Sequence, residues 1–110
     1  MDAIKAQISQ EVDTLAQDMY DISEFLKANP ETAYQEYKAR DYLSQVLEEK
    51  GFRVQKGVGQ VETSFLARPA AGQAGSPTVA FLAEYDALPK IGHGCGHNLI
   101  AAASVGAAIV

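Results

Sequence analysis

The sequence predicts an α/β fold, the N-terminal part of an α/β/α sandwich built on a mixed sheet, and three observations carry that expectation. An apolar stripe of helical period opens the chain, short strand-like runs follow Gly51, and an apolar stretch of Ala, Ile, Leu and Val closes it. The expected order is helix, helix, strand, strand, strand, helix. At 110 residues and 47% hydrophobic content the chain can bury roughly 60 to 70% of its unfolded surface, enough for one core and one domain over 1–110.

From Ala3 to Lys27 the residues Ile4, Ile8, Val12, Leu15, Met19, Ile22 and Leu26 recur at gaps of three and four, one face of an amphipathic helix. A coiled-coil seam shares this spacing, and packing onto a sheet is the preferred use of the stripe. Asn29-Pro30 ends it, because proline lacks an N–H and displaces the preceding residue from helical geometry. Pro30 then opens a second helix to Lys50, with Glu31 near its positive end and Gly51 as the left-handed stop. Strands are expected over Phe52 to Lys56 and Thr63 to Ala67, joined through Gly57-Val58-Gly59 as a hairpin. Arg68 to Pro77, with its prolines and glycines, reads as an exposed loop. Thr78 to Ala83 is a continuous apolar run, the signature of a strand covered on both faces of a parallel or mixed sheet. Leu99 to Val110 is expected to be a helix with no polar face, too short to span a bilayer.

Charge and cysteine content exclude several function classes. A formal charge of -5, with nine scattered basic residues, leaves no patch to neutralise nucleic-acid phosphates. Met1 to Gln17 has neither the basic start nor the apolar block of a secretory signal. A single cysteine allows no internal disulfide, which suits the reducing cytoplasm and leaves Cys95 as a free thiol or a ligand.

The chemistry concentrates near the end of the chain. Glu84 and Asp86 follow the Thr78 to Ala83 run, and Gly-His-Gly-Cys-Gly-His-Asn occupies 92 to 98. In open sheets ligands collect beyond the carboxyl ends of strands, which is where this loop would close. Cys95 and His97, one glycine apart, can point a thiolate and an imidazole at one ion of the zinc type, or be a core cysteine beside a hydrogen-bonded histidine. His93 is open between a third ligand, a support for one, and a loop residue. Asp86 either holds a ligand imidazole in its tautomer or bends the turn before Pro89. Glu84 is a ligand, the partner of a basic residue, or a solvated strand end, and Tyr85 packs. A thiol nucleophile at Cys95, activated by His93 or His97, is a further reading that needs a nearby cation.

Four motifs in unbroken order, Asn-Pro-Glu-Thr-Ala-Tyr-Gln-Glu-Tyr-Lys-Ala (29 to 39), Gly-Phe-Arg-Val (51 to 54), Leu-Ala-Glu-Tyr-Asp-Ala-Leu-Pro (82 to 89) and Gly-His-Gly-Cys-Gly-His-Asn-Leu (92 to 99), resemble the N-terminal part of the dinuclear metal-dependent amidohydrolases and peptidases. That family includes aminoacylases, carboxypeptidases and hippurate hydrolases, and the motifs are most similar to its aminobenzoyl-glutamate hydrolase and dipeptidase-like branch. The resemblance implies the catalytic domain of a zinc-peptidase-like fold and two divalent ions, zinc, manganese or cobalt. It implies Cys95 and His97 as metal ligands and Asp86 as the catalytic-site acid that orients a ligand. Glu84 stands where the family usually has a histidine, and His93 and Glu84 are candidates for supporting the ligands. Asn98 replaces the aspartate of many relatives.

The relatives continue for several hundred residues, with a general base, further ligands and a lid domain that are absent from this sequence. The expectation is therefore a segment of a hydrolase of small amides, N-acyl amino acids, aminobenzoyl-glutamate-like conjugates or dipeptides, with little activity alone. The alternative is a non-catalytic α/β piece that binds at most one metal or associates with a partner chain. No nucleic-acid or membrane partner is expected. An apolar helix ending at Val110 would leave exposed surface and favour self-association or a homodimer.

Overall fold

The computed structural model describes residues 1–72 and 74–110. Four α-helices, α1 (Asp2–Thr14), α2 (Ala16–Ala28), α3 (Tyr37–Glu49) and α4 (His97–Ile109), accompany a hairpin of β1 (Phe52–Lys56) and β2 (Phe65–Pro69), which packs on α3. Ile22 and Leu26 of α2, Ala39, Leu43 and Leu47 of α3, and Ala101, Ala102 and Val105 of α4 form one buried cluster. Phe25 and Tyr42 add a stacked ring pair at 4.1 Å between α2 and α3. The α/β character holds. Among the described residues the sheet is an antiparallel hairpin, and a mixed sheet between two helical layers is not formed.

The expected opening helix is divided at Leu15, whose N–H is shared between the carbonyls of Glu11 and Val12 at 3.1 Å each. Only the later part of the stripe reaches the core. Ile22 and Leu26 are buried and Met19 is partly covered, whereas α1 buries no residue and Ile4 stays 58% exposed. The periodicity is correct throughout, but among the described residues nothing buries the apolar face of α1.

The second helix starts at Tyr37, not at Pro30. The backbone between is engaged elsewhere: Ala87 N–H donates to the Glu31 carbonyl at 2.7 Å, Thr32 bridges Ala87, and Tyr34 takes a left-handed φ of 68°. Glu31 still serves the helix from upstream, its carboxylate accepting the N–H groups of Lys38 and Ala39 at 3.1 and 2.9 Å. These are donors that the first turn of a helix otherwise leaves unpaired. Gly51, at φ 91°, stops α3 as expected.

β1 matches its expected span, and β2 begins two residues later than expected. The register runs from Phe52 opposite Pro69 to Lys56 opposite Phe65, which turns Phe52 and Val54 toward α3. The expected loop from Arg68 begins inside β2, and its Gln73 lies outside the described residues.

Thr78 to Ala83 is not a strand. It forms no ladder, and Val79 and Leu82 are 77% and 83% exposed. An apolar run becomes a buried strand only where neighbours accept its hydrogen bonds and cover its faces. Among the described residues a single side-chain hydrogen bond reaches it, Ser104 Oγ donating to the Leu82 carbonyl at 2.6 Å.

α4 begins two residues before the apolar run and packs on α2 and α3 instead of a sheet. A Cβ placed on Gly106 would run into Met19 Sδ and Cγ, so glycine sets the approach of the two helices. Among the described residues no helix is long and apolar enough to cross a membrane.

Gly106→Val should destabilise the chain by a net of about 1–2 kcal/mol in denaturant unfolding. Overpacking of about 1–3 kcal/mol outweighs about 0.5 kcal/mol of regained helix propensity. A double-mutant cycle with Met19→Ala should give favourable coupling of about 1 kcal/mol, and purely additive effects would disprove the contact. The exposed apolar residues of α1 and of 78–82 should also make the chain associate with rising concentration; a monodisperse monomer by light scattering at high concentration refutes this.

Candidate active site

Asp86 and His97 are fixed by separate anchors that converge. The segment carrying Glu84, Tyr85 and Asp86 is tied at Ala87 to the turn before α3. Tyr85 packs, as expected, stacking on Phe65 at 5.8 Å and donating its hydroxyl to the Thr63 carbonyl at 2.6 Å. Beyond Asp86 the chain reverses tightly, Leu88 and Gly92 exchanging hydrogen bonds of 2.9 and 3.0 Å. Gly96, at φ 83°, then turns the backbone into α4, whose first residue is His97. Asn98 is buried and donates to the Ser23 carbonyl at 3.3 Å, fastening this end of α4 to α2.

His97 Nδ1 lies 2.8 Å from Asp86 Oδ1 and 3.0 Å from the Asp86 carbonyl. A carboxylate and a carbonyl both accept, so Nδ1 carries the proton. With the proton on Nδ1, a neutral ring presents its Nε2 lone pair, the tautomer a metal-binding histidine takes when a carboxylate holds its other nitrogen, and a protonated ring pairs through Nε2 with Glu84. Glu84 Oε2 is 3.3 Å from Nε2.

His93 places both ring nitrogens out of solvent without a well-formed hydrogen bond. Burial and then the neighbouring His97 hold its pKa below the ordinary histidine value, while the Asp86 carboxylate and the Leu26 carbonyl pull the other way. Cys95 is exposed in the turn ahead of α4. Among the described residues no group of three or more His, Cys, Asp and Glu side chains is gathered as a closed metal site requires. The donors present, an oriented imidazole, a carboxylate and a thiol nearby in sequence, fit part of the coordination of a borderline ion.

An open cavity of about 210 Å³ adjoins the pair, lined in part by Glu36, Thr63, Ser64, Glu84, Tyr85 and Asp86. The larger groove, about 360 Å³, lies between α2 and α3 and contains none of the candidate residues. Its Asp18, Asp21 and Glu49 are accompanied by Lys50, which pairs with Asp18 at 3.2 Å. Glu36 and Thr63 drew no attention in the sequence, since they lie in unrelated elements; Thr63 Oγ1 donates to Glu36 Oε1 at 3.3 Å beside the cavity.

No family model matches this chain. It is 37% identical over 106 residues to a subunit of the p-aminobenzoyl-glutamate hydrolase of Escherichia coli (strain K12), covering 81% of this chain and 21% of that protein. It is also 37% identical over 117 residues to the Xaa-Arg dipeptidase of Mus musculus and 35% over 120 residues to that of Homo sapiens, each match covering 99% of this chain and 27% of the relative. Over these residues the chain belongs to the amidohydrolase and peptidase family that its four motifs resemble. It spans between 21% and 27% of the length of these relatives.

Tyr85 supplies a pH test of this geometry. Burial, followed by the Glu36 carboxylate, pushes its hydroxyl up to about 12. The folded state thus holds a proton that the unfolded chain releases near pH 10. Tyr85 contributes its full stability below about pH 10 and loses it as pH rises toward about 12. Tyr85→Phe should cost about 0.5–1.5 kcal/mol at neutral pH and flatten the alkaline arm of a stability profile. An unchanged alkaline arm would show that another group titrates there.

Proposed function

We propose that these residues are the N-terminal segment of a metal-dependent hydrolase that cleaves the amide bond of small N-acyl amino acids, aminobenzoyl-glutamate-like conjugates or dipeptides. Within it they would form part of an α/β/α sandwich. The observation that carries the reading is the Asp86–His97 pair, in which a carboxylate at 2.8 Å fixes the proton on Nδ1 and frees Nε2. The names of the relatives support the reaction class, amide hydrolysis of a conjugate or a dipeptide.

In this reading Cys95 and His97 would hold the divalent ions, zinc, manganese or cobalt. Asp86 orients the imidazole and keeps it neutral on its metal-facing side. Bound divalent ions supply Lewis acidity and a water whose pKa falls toward neutrality. The cavity beside Glu84 and Asp86 takes one end of the amide, where the Thr63 and Ser64 hydroxyls and the Glu36 carboxylate offer polar contacts. Amide hydrolysis at such a site would also need a positioned general base beyond the groups identified in these residues. These residues alone are therefore expected to have little or no activity. A second reading, a non-catalytic segment that associates with a partner chain, draws on the exposed Val79, Phe81 and Leu82.

Native mass spectrometry of the protein from its own cells, with hydrolysis of p-aminobenzoyl-glutamate and dipeptides assayed on the same sample, separates the two. The expected result is a metal-bearing species whose metal is lost in Cys95→Ser and His97→Ala and whose hydrolysis is lost with it. A metal-free 11.8 kDa species without hydrolysis would establish the second reading.

A further inference from the structure

We infer that Arg53 and Arg68 form a binding site for a phosphate group on the outer face of the hairpin, apart from the Asp86–His97 pair and independent of the metal-dependent reading. Side chains alternate between the two faces of a strand. In β1 and β2 the inward set is Phe52, Val54, Phe65 and Ala67, which packs on the buried cluster. The outward set is Arg53 and Gln55 on β1 and Leu66 and Arg68 on β2, all exposed. The register places Arg53 directly opposite Arg68 and Gln55 opposite Leu66, so these four positions carry two guanidinium groups and no carboxylate.

Like charges directly opposite one another in a ladder repel and destabilise it. The chain has acids enough to avoid this, 14 against nine basic residues, and nearby basic side chains use them. Arg40 and Lys56 meet Asp41 at 2.9 and 3.0 Å, and Lys50 meets Asp18 at 3.2 Å. Among the described residues neither Arg53 nor Arg68 has a carboxylate within ion-pair distance. Their charge is balanced by nothing on that face.

The backbone sets the spacing of the pair. Ala70 N–H donates to the Gly51 carbonyl at 3.0 Å and Gly57 N–H to the Ser64 carbonyl at 2.9 Å. Hydrogen-bonded pairs alternate along an antiparallel ladder, which makes Arg53 and Arg68 such a pair, with Cα atoms about 5.5 Å apart. Two long side chains rising from there can converge on one ion. Each guanidinium offers a planar fork that fits two oxygens of a phosphate, and Gln55 adds a neutral amide donor one step along β1. Two positive charges match a phosphate group that is close to doubly charged at pH 7. The same two charges are far too few to follow a nucleic-acid backbone, whose binding rests on many phosphate contacts.

The test is isothermal titration of the chain with inorganic phosphate at fixed ionic strength, with sodium chloride as the reference salt, alongside thermal unfolding by circular dichroism. One phosphate should bind per chain and raise the unfolding midpoint in a saturable way. Arg53→Gln and Arg68→Gln should each weaken binding at least about tenfold. Arg68→Lys, which keeps the charge but loses the fork, should also bind more weakly than wild type. In chloride alone Arg68→Gln should unfold at a higher temperature than wild type, because the repulsion is gone. The fold of the variants should be unchanged, since both arginines are exposed. Glycerol phosphate as a second probe separates the sources of the group: binding equal to that of the free ion assigns a phosphate ester, and its failure beside bound inorganic phosphate assigns the free ion. Equal behaviour in phosphate and chloride, or wild-type affinity in both Arg→Gln variants, would overturn the site. Tighter binding of an oligoglutamate peptide than of phosphate, lost in the same variants, would overturn it in favour of a docking face for an acidic segment.

Discussion

The close approach of α4 to α2 is the constraint on which the rest of this structure depends. Gly106 meets Met19, and Ala101, Ala102 and Val105 lie in one cluster with Ile22 and Leu26. A helix made almost entirely of small apolar residues gains little from amphipathicity. It gains from proximity, since each small side chain lets the opposing helix move nearer and multiplies the dispersion contacts of its larger residues. Asn98 adds a polar anchor at the beginning of the same helix, reaching the Ser23 carbonyl. Once α4 is seated, its first residue, His97, has a fixed position relative to the core.

Asp86 arrives by a different route, and Glu31 connects it to α3. The Glu31 carbonyl accepts the N–H of Ala87 while its carboxylate accepts two N–H groups at the start of α3. One residue thus caps a helix and holds the segment that carries the site. The tight reversal between Leu88 and Gly92 then returns the chain toward α4 within a few residues. The Asp86–His97 contact is the point where two independently anchored pieces meet, and a hydrogen bond of this kind is sensitive to displacements well below 1 Å.

The sequence made some of this legible and hid the rest for identifiable reasons. β1, the Gly51 stop and α4 were readable because turn residues and local propensity decide them. The single helix from Ala3 and the strand from Thr78 were not. Periodicity reports which face is apolar, and it cannot report whether anything covers that face. Ile4, Ile8 and Val12 carry a faultless stripe and remain exposed; Val79 and Leu82 read as buried and are the reverse. At the site, the motifs drew attention to Asp86 and His97, and the structure brings those two together. The Cys95-Gly-His97 spacing suggested a shared ion; Gly96 places His97 at the start of α4 and Cys95 in the exposed turn before it. Glu84 was the least legible, since its placement against Nε2 depends on where α4 begins.

This arrangement makes stability and ligation two readings of one geometry. A ligand that binds only the native state stabilises it by RT ln(1 + [L]/Kd), so an ion held by groups on both pieces would resist their separation. At the site the pieces are held by the Asp86 contacts, and Nε2 of His97 lies 3.3 Å from the Glu84 carboxylate. The anchors at Ala87, Asn98 and Gly106 impose that arrangement. The helix contact between Gly106 and Met19 is therefore part of what fixes His97 against Asp86.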